Sequence, residues 1–399
     1  MISGMMNTMH ISTVVVLQFA LLLLAVPAGA AEKAQGQDEY FVYVGTAIYT
    51  GQGSHNLYGF RFNGATGKLT PLGVMADAAN PGFLAVHPNH KFLYATNEIG
   101  DEGAKEGGYV SAFSIDRKTG KLTLLNKVPS GGSHPAAVAV DHTGEYVLVA
   151  NYYGSTMQVF PILRDGKLGE PTARVEHSGA SGVDPARQEA PHLHSAGYSP
   201  DNRFAVTADL GLDKVFIYRF DSSNGSLKPN DPPYAKANPG DGPRHFAFSP
   251  SGKFLYVMNE LQSSLCVFSF DTSSGSTKHL QTISTLPKDW TGEKSGAEVQ
   301  IDASGKFLYT SNRGHDSITV FAIDPEKGTV APLEYVPTQG KTPRYFNLDP
   351  TGKWLLVANQ DSNNVVVFHI DPKTGRLSST GHVGEATAPT CLTFLPVGD

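Results

Sequence analysis

Tryptophan and cysteine occur only twice each in 399 residues, and no stretch carries the 3.6-residue apolar spacing of an amphipathic helix. Cys266 and Cys391 are too few for a disulfide framework and fall in separate repeats, so buried free thiols are expected. Positive charge is also scarce. Against 37 Asp and Glu there are 31 Lys and Arg, a net charge of −6 that offers no basic field to nucleic acid. Charged residues make up 17% of the chain and hydrophobic ones 40%, the balance of a globular protein with ample core. Two catalytic signatures are missing. Without a G-x-S-x-G elbow a serine-hydrolase triad has no support, and no P-loop cradles phosphate.

The first thirty residues contain no Asp, Glu, Lys or Arg, and Val14 to Val26 is apolar apart from Gln18. Ala28-Gly29-Ala30 supplies small residues suited to cleavage, ahead of a polar stretch that begins at Glu32. Residues 1–30 are therefore expected to be a secretory signal peptide, although its amino end offers only His10 in place of the usual positive charge. Residues 31–37 follow as a short linker. The apolar run is short for a bilayer span, so no stable membrane span is expected after processing, and the mature chain is expected in the periplasm or outside the cell.

Glycine (42) and proline (26) are plentiful, as a fold with many tight turns requires. They punctuate an internal repeat. Strand-like segments begin at Phe41, Phe92, Tyr146, Phe204, Phe254, Phe307 and Trp354, and five residues later stand Thr46, Asn97, Asn151, Asp209, Asn259, Asn312 and Asn359. A second strand follows, with Phe60, Phe113, Phe160, Tyr218, Phe268, Phe321 or Phe368 in its middle, and then a hairpin glycine: Gly67, Gly120, Gly166, Gly225, Gly275, Gly328 or Gly375. Seven units with a period of about fifty residues predict an all-β fold, a seven-bladed β-propeller over residues 38–399.

Six units open with an inner strand, such as Pro81-Gly82-Phe83-Leu84 or Pro343-Arg344-Tyr345-Phe346, but the first has none. The chain end supplies a surplus one from Pro389 to Leu395. The C-terminal strand is thus expected to join the first blade and close the ring, which limits exposed sheet edges.

In such a fold the loop into each inner strand and the loop out of the next strand meet at one channel mouth, where function is sought. The second residues of the inner segments are Gly82, Ala136, His194, Arg244, Ala297, Arg344 and Thr390. Just past the next strands stand Glu98, Tyr152, Leu210, Glu260, Arg313 and Gln360. Structural positions would be filled alike in every blade. Here blades 4 to 7 break the pattern with His194, Arg244, Glu260, Arg313, Arg344 and Gln360. Three converging arginines imply an anionic ligand, with Glu260 either a participant or their counter-ion. His192 and His194 alternate, so both rings are able to face one side. With Glu260 they offer a zinc-like set, but no third strong ligand stands at close spacing, and no metal is expected. Asp101 to Glu106 is expected as a solvated loop, and Pro171 to Ala190 as a cover over the mouth bearing Arg174 and Arg187.

The stretches Pro191-His192-Leu193-His194-Ser195, Gly242-Pro243-Arg244-His245-Phe246, Asn259-Glu260, Ser311-Asn312-Arg313-Gly314-His315-Asp316-Ser317 and Asn359-Gln360 resemble those of the seven-bladed lactonase family. That family includes propeller-type 6-phosphogluconolactonases and fungal carboxymuconate-lactonising enzymes. The resemblance spans the whole mature chain and implies lactone chemistry without a cofactor. It carries the active-site assignment to His194, Arg244, Glu260 and Arg313. His192, Arg344, Gln360 and Glu98 are then expected to bind the substrate, a small anionic sugar lactone. Hydrolysis of 6-phosphoglucono-1,5-lactone or of an unphosphorylated aldonolactone is the expected reaction, with Glu260 or His194 as base. The alternative is a non-enzymatic propeller that binds protein or glycan, which predicts a mouth without convergent charge.

Overall fold

The computed structural model describes residue 1 and residues 38–50, 53–100 and 107–398. The expected signal peptide and linker, and the loop from Asp101 to Glu106, lie outside the described residues. Residues Asp38–Asp399 form one compact unit. Among the described residues all regular structure is β: 28 strands in seven four-stranded antiparallel sheets. Six sheets use four strands consecutive in the chain. In the seventh the C-terminal strand Pro389–Pro396 pairs with Glu39–Thr46 and becomes the inner strand of blade 1, closing the ring.

The two ends of the repeat motif turn out to be the halves of one interblade contact. All seven hairpin glycines have positive φ, between 69° and 85°, where a Cβ is strained. Each also lies against the aromatic that starts the repeat in the preceding blade. A Cβ on Gly120 would come within 2.7 Å of Phe41, one on Gly328 within 2.2 Å of Phe254, and one on Gly67 within 2.7 Å of Trp354. The last of these is the same contact carried around the ring, from blade 1 onto blade 7. Tyr43, Tyr94, Tyr256 and Tyr309 add hydroxyl hydrogen bonds to the carbonyls of Gly120, Gly166, Gly328 and Gly375. Between each pair of neighbouring blades lies one hydrophobic cluster. The second strand of every blade is nearly all buried, because it packs on both faces, whereas the outermost strands alternate toward solvent. Cys266 and Cys391 are both free and fully buried.

Inner strands carry a further device. In six blades the register shifts at the second residue of the inner strand, leaving Ala136, His194, Arg244, Ala297, Arg344 or Thr390 out of the ladder. A bulge bends its strand locally and re-aims a side chain. It is this bulge that turns the second residue toward the channel.

Candidate active site

At the mouth lies a cavity of about 850 Å³ lined by Tyr49, Glu98, Tyr152, Arg187, His192, His194, Glu260, Arg313 and Arg344 among others. It narrows to a throat lined by Gly82, Glu98, His194, Arg244, His245 and Arg344. Glu98, His194 and Arg344 face both, so they stand at the neck.

Glu260 is the electrostatic centre. Its Oε2 accepts from Arg244 Nε at 3.0 Å and lies 2.9 Å from Arg313 Nη2, while Oε1 accepts from Arg187 Nη2 at 2.5 Å. Each guanidinium is anchored elsewhere as well. Arg244 donates to the Ala297 carbonyl, Arg313 to the Gly296 carbonyl and Arg187 to the Tyr152 hydroxyl. Burial by itself would raise the Glu260 carboxyl, but Arg313, Arg244, His194 and Arg187 outweigh it and hold the group well below the usual carboxylate range. Burial, with Arg313 and Arg344 close by, brings Arg244 down to about 9, which leaves it charged at neutral pH.

His194 presents Nε2 to Glu260 Oε2 at 3.7 Å, and its buried Nδ1 has no hydrogen-bond partner among the described residues. Burial and the surrounding Arg244, Arg344 and Arg313 hold it well below the usual imidazole value despite Glu260, so the ring is neutral at pH 7. His192 stacks on Tyr152 with centroids 4.4 Å apart, and its Nε2 lies 2.9 Å from Glu189 Oε1. Both histidines line the mouth, but they address different carboxylates and do not converge on one point.

Arg344 is set apart from the other arginines. Among the described residues it makes no hydrogen bond or ion pair, and its guanidinium lies 5.1 Å from the centroid of the Tyr49 ring. Gln360 is drawn away from the site: its Nε2 donates to the Ala47 carbonyl, bridging blade 7 to blade 1, and it does not line the cavity.

The segment from Pro171 to Ala190 only partly covers the mouth. Ala173–Glu176 is the outer strand of blade 3, and there Arg174 pairs with Glu176, away from the site. The later part crosses the mouth because Asp213 ties it down. That carboxylate accepts from Ser181, Gln188 and the backbone NH groups of Gly240 and Gly242. Arg187 is thereby delivered onto Glu260, although it stands outside the repeat register. The sequence offered it together with Arg174 on the covering segment, and nothing local tells the two apart.

His245 is a second residue the repeat comparison passed over. It follows Arg244, is buried, and has Nδ1 at 2.7 Å from Glu298 Oε2. Comparing third residues of the inner strands would have found the pair, since Phe83, Ala137, Tyr345 and Cys391 are apolar there.

The convergent charge does not match a binding propeller with a neutral mouth. Fold and site together define a β-propeller with a polar, arginine-rich small-molecule pocket at one end of its channel. The family described as "Lactonase, 7-bladed beta-propeller" matches residues 41–394, and the chain belongs to that family. It is 36% identical over 308 residues to a 6-phosphogluconolactonase of Bacillus subtilis, covering 77% of this chain and 84% of that one. Among solved structures it is similar to the periplasmic gluconolactonase of Pseudomonas aeruginosa, at 34% identity and a TM-score of 0.83, covering 90% of this chain and all of the other. A putative 6-phosphogluconolactonase from Bacteroides fragilis gives 33% identity and 0.81, covering 90% of this chain and 98% of that one.

Proposed function

We propose that the protein hydrolyses an unphosphorylated aldonolactone, such as glucono-1,5-lactone, at the channel mouth. The observation that carries this reading is the pairing pattern of the arginines. Three of the four guanidiniums share Glu260, leaving Arg344, among the described residues of the cavity, as the arginine with no carboxylate at ion-pair distance. Attack of water on a lactone carbonyl puts negative charge on its oxygen, and preorganised cations in a water-poor pocket stabilise it. Arg344, with the outward edges of Arg244 and Arg313, would supply that field. The neutral His194, with Nδ1 unpaired, would hold a hydroxyl of the ring or the attacking water. Glu260 is then a positioning residue. With both oxygens taken by guanidiniums it is a poor proton acceptor.

Charge also bears on the substrate. Three arginines at the mouth were expected to call for an anion, yet Glu98, Glu189, Glu260 and Glu293 stand with them and with Arg187, and no lysine lines the cavity among the described residues. A neutral lactone enters such a balanced site without penalty. A phosphate dianion would find only Arg344 without a carboxylate at ion-pair distance to offset its desolvation, leaving roughly several kcal/mol unmet. Turnover of glucono-1,5-lactone and of its 6-phosphate, with the spontaneous rate subtracted, decides between them. Preference for the phosphorylated lactone would overturn the substrate assignment, and full activity of both His194→Ala and Arg244→Ala would overturn the site.

The charge-free apolar run near the amino end and the likeness to a periplasmic gluconolactonase support export. Amino-terminal sequencing of the mature protein checks it, with a start shortly after Ala30 expected.

A further inference from the structure

Two carboxylates occupy equivalent places in the ring. Glu260 follows the strand Phe254–Asn259 of blade 5, and Glu98 follows Phe92–Asn97 of blade 2. Their backbones are held alike: Glu260 NH donates to the Gly242 carbonyl and Glu98 NH to the Asn80 carbonyl. Their surroundings are opposite. Glu260 is saturated by guanidiniums, whereas Glu98 accepts, among the described residues, one side-chain hydrogen bond, from Tyr49 Oη to Oε2 at 3.0 Å. Its other oxygen has no donor among the described residues.

From this arrangement we infer that Glu98 is the general base of the site, taking the proton of the attacking water and returning it to the ring oxygen. The proposal rests on the lactonase reading above. Several features hold Glu98 for this task. It lies at the neck between cavity and throat, beside His194 and Arg344. Gly82 makes room for it, since a Cβ there would stand 2.4 Å from Glu98 Oε2. Asn80, buried and with φ of 38°, donates from Nδ2 to the carbonyls of Ile48 and Glu98 and accepts from the NH groups of Ile48 and Ser54. One side chain thus fixes the backbone on both sides of the Tyr49–Glu98 pair.

In the reaction a water oxygen bonds to the lactone carbonyl carbon as its proton passes to the Glu98 carboxylate, and the carbonyl electrons move onto oxygen beside Arg344. When the oxyanion collapses, the bond to the ring oxygen breaks and that oxygen takes the proton from Glu98. The net change is addition of one water, giving a hydroxy acid that ionises at neutral pH.

The groups facing Glu98 are Tyr49, Arg344, Arg244 and, across the neck, His194. Burial raises its carboxyl above the usual value, and this prevails over Arg344, the Tyr49 hydrogen bond and Arg244. A base raised toward the working pH is a better proton acceptor while still ionised. Because Glu98 works as the carboxylate, the rate falls as pH drops through its raised value. The Tyr49 hydrogen bond favours the ionised form, so removing it moves that acid-side limb to higher pH.

The test is steady-state hydrolysis of glucono-1,5-lactone between pH 4.5 and 7.5, with circular dichroism to confirm folding, pH values spanning about the carboxylate and imidazole ranges. Glu98→Gln is expected to lower kcat by about 10² or more, the usual scale for a lost general base, with KM changed less than about threefold and the acid-side limb gone. Tyr49→Phe is expected to keep most of the activity and shift the limb upward. A Glu98→Gln enzyme within about tenfold of wild-type kcat, or one that keeps the limb, overturns the inference. Should that variant not fold, an unmoved limb in Tyr49→Phe overturns it instead. If the wild-type protein turns over no aldonolactone, the functional reading falls and this inference with it; if only the variants disagree, the lactonase reading stands.

Discussion

Arg244 Nε sits 3.0 Å from Glu260 Oε2 with both side chains at least nine-tenths buried, an ion pair made within blade 5 at the wall of the cavity. Arg244 reaches it because a bulge lifts it out of its strand, and Glu260 because it begins the loop after the next strand. A pair so buried is costly to break, since the partner left behind stays charged in a poorly solvated place.

Glu260→Gln is therefore expected to cost about 3–5 kcal/mol of stability, the range for breaking a buried pair. Urea denaturation at pH 7 measures it. Glu260 is depressed in the folded state, so its contribution is present above the unfolded carboxylate value and is lost as pH falls through the lower folded one. The stability gap between wild type and variant should accordingly narrow in acid.

His245 gives a second pH dependence of opposite chemical origin. Burial and nearby Arg244 and His194, opposed by Glu298, bring its imidazole to about 4 against 6.5 for the free group. The unfolded chain takes up this proton first as pH falls, so folding is favoured above about 6.5 and loses about 3 kcal/mol on descending to about 4. Urea midpoints at pH 7, 6, 5 and 4 should fall less steeply in His245→Asn. Parallel slopes would remove this assignment.

The interblade contact is open to a direct test. Gly328 has φ of 71°, and a Cβ would lie 2.2 Å from Phe254. Gly328→Ala should combine backbone strain with overpacking, a loss of about 2–3 kcal/mol. An unchanged thermal midpoint would show that the aromatic ring yields without cost.

Much of the ring was legible because propeller strands announce themselves locally. An aromatic start, a small polar end and a hairpin glycine are each demanded by backbone geometry within a few residues, and repetition multiplied the signal sevenfold. The missing inner strand of blade 1 and the surplus one at the chain end pointed to closure for the same reason. At the mouth, His194, Arg244, Glu260, Arg313, Arg344 and Gln360 stood out as departures from the repeat; the structure brings the first five to one cavity and its throat, together with Glu98, but not Gln360.

The sequence alone determined the blade count, the closing strand and the charged residues of the mouth, because these depend on periodicity and register. Only the tertiary structure decided how those charges pair. Arg187 comes from a long loop pinned by Asp213, Gln360 is taken up by a carbonyl of the next blade, and Glu98 meets Tyr49 across a blade boundary. Hydrogen bonds between blades join residues tens to hundreds of positions apart, and no local pattern encodes which donor reaches which oxygen. That pairing is what separates a neutralised glutamate from one left free to take a proton.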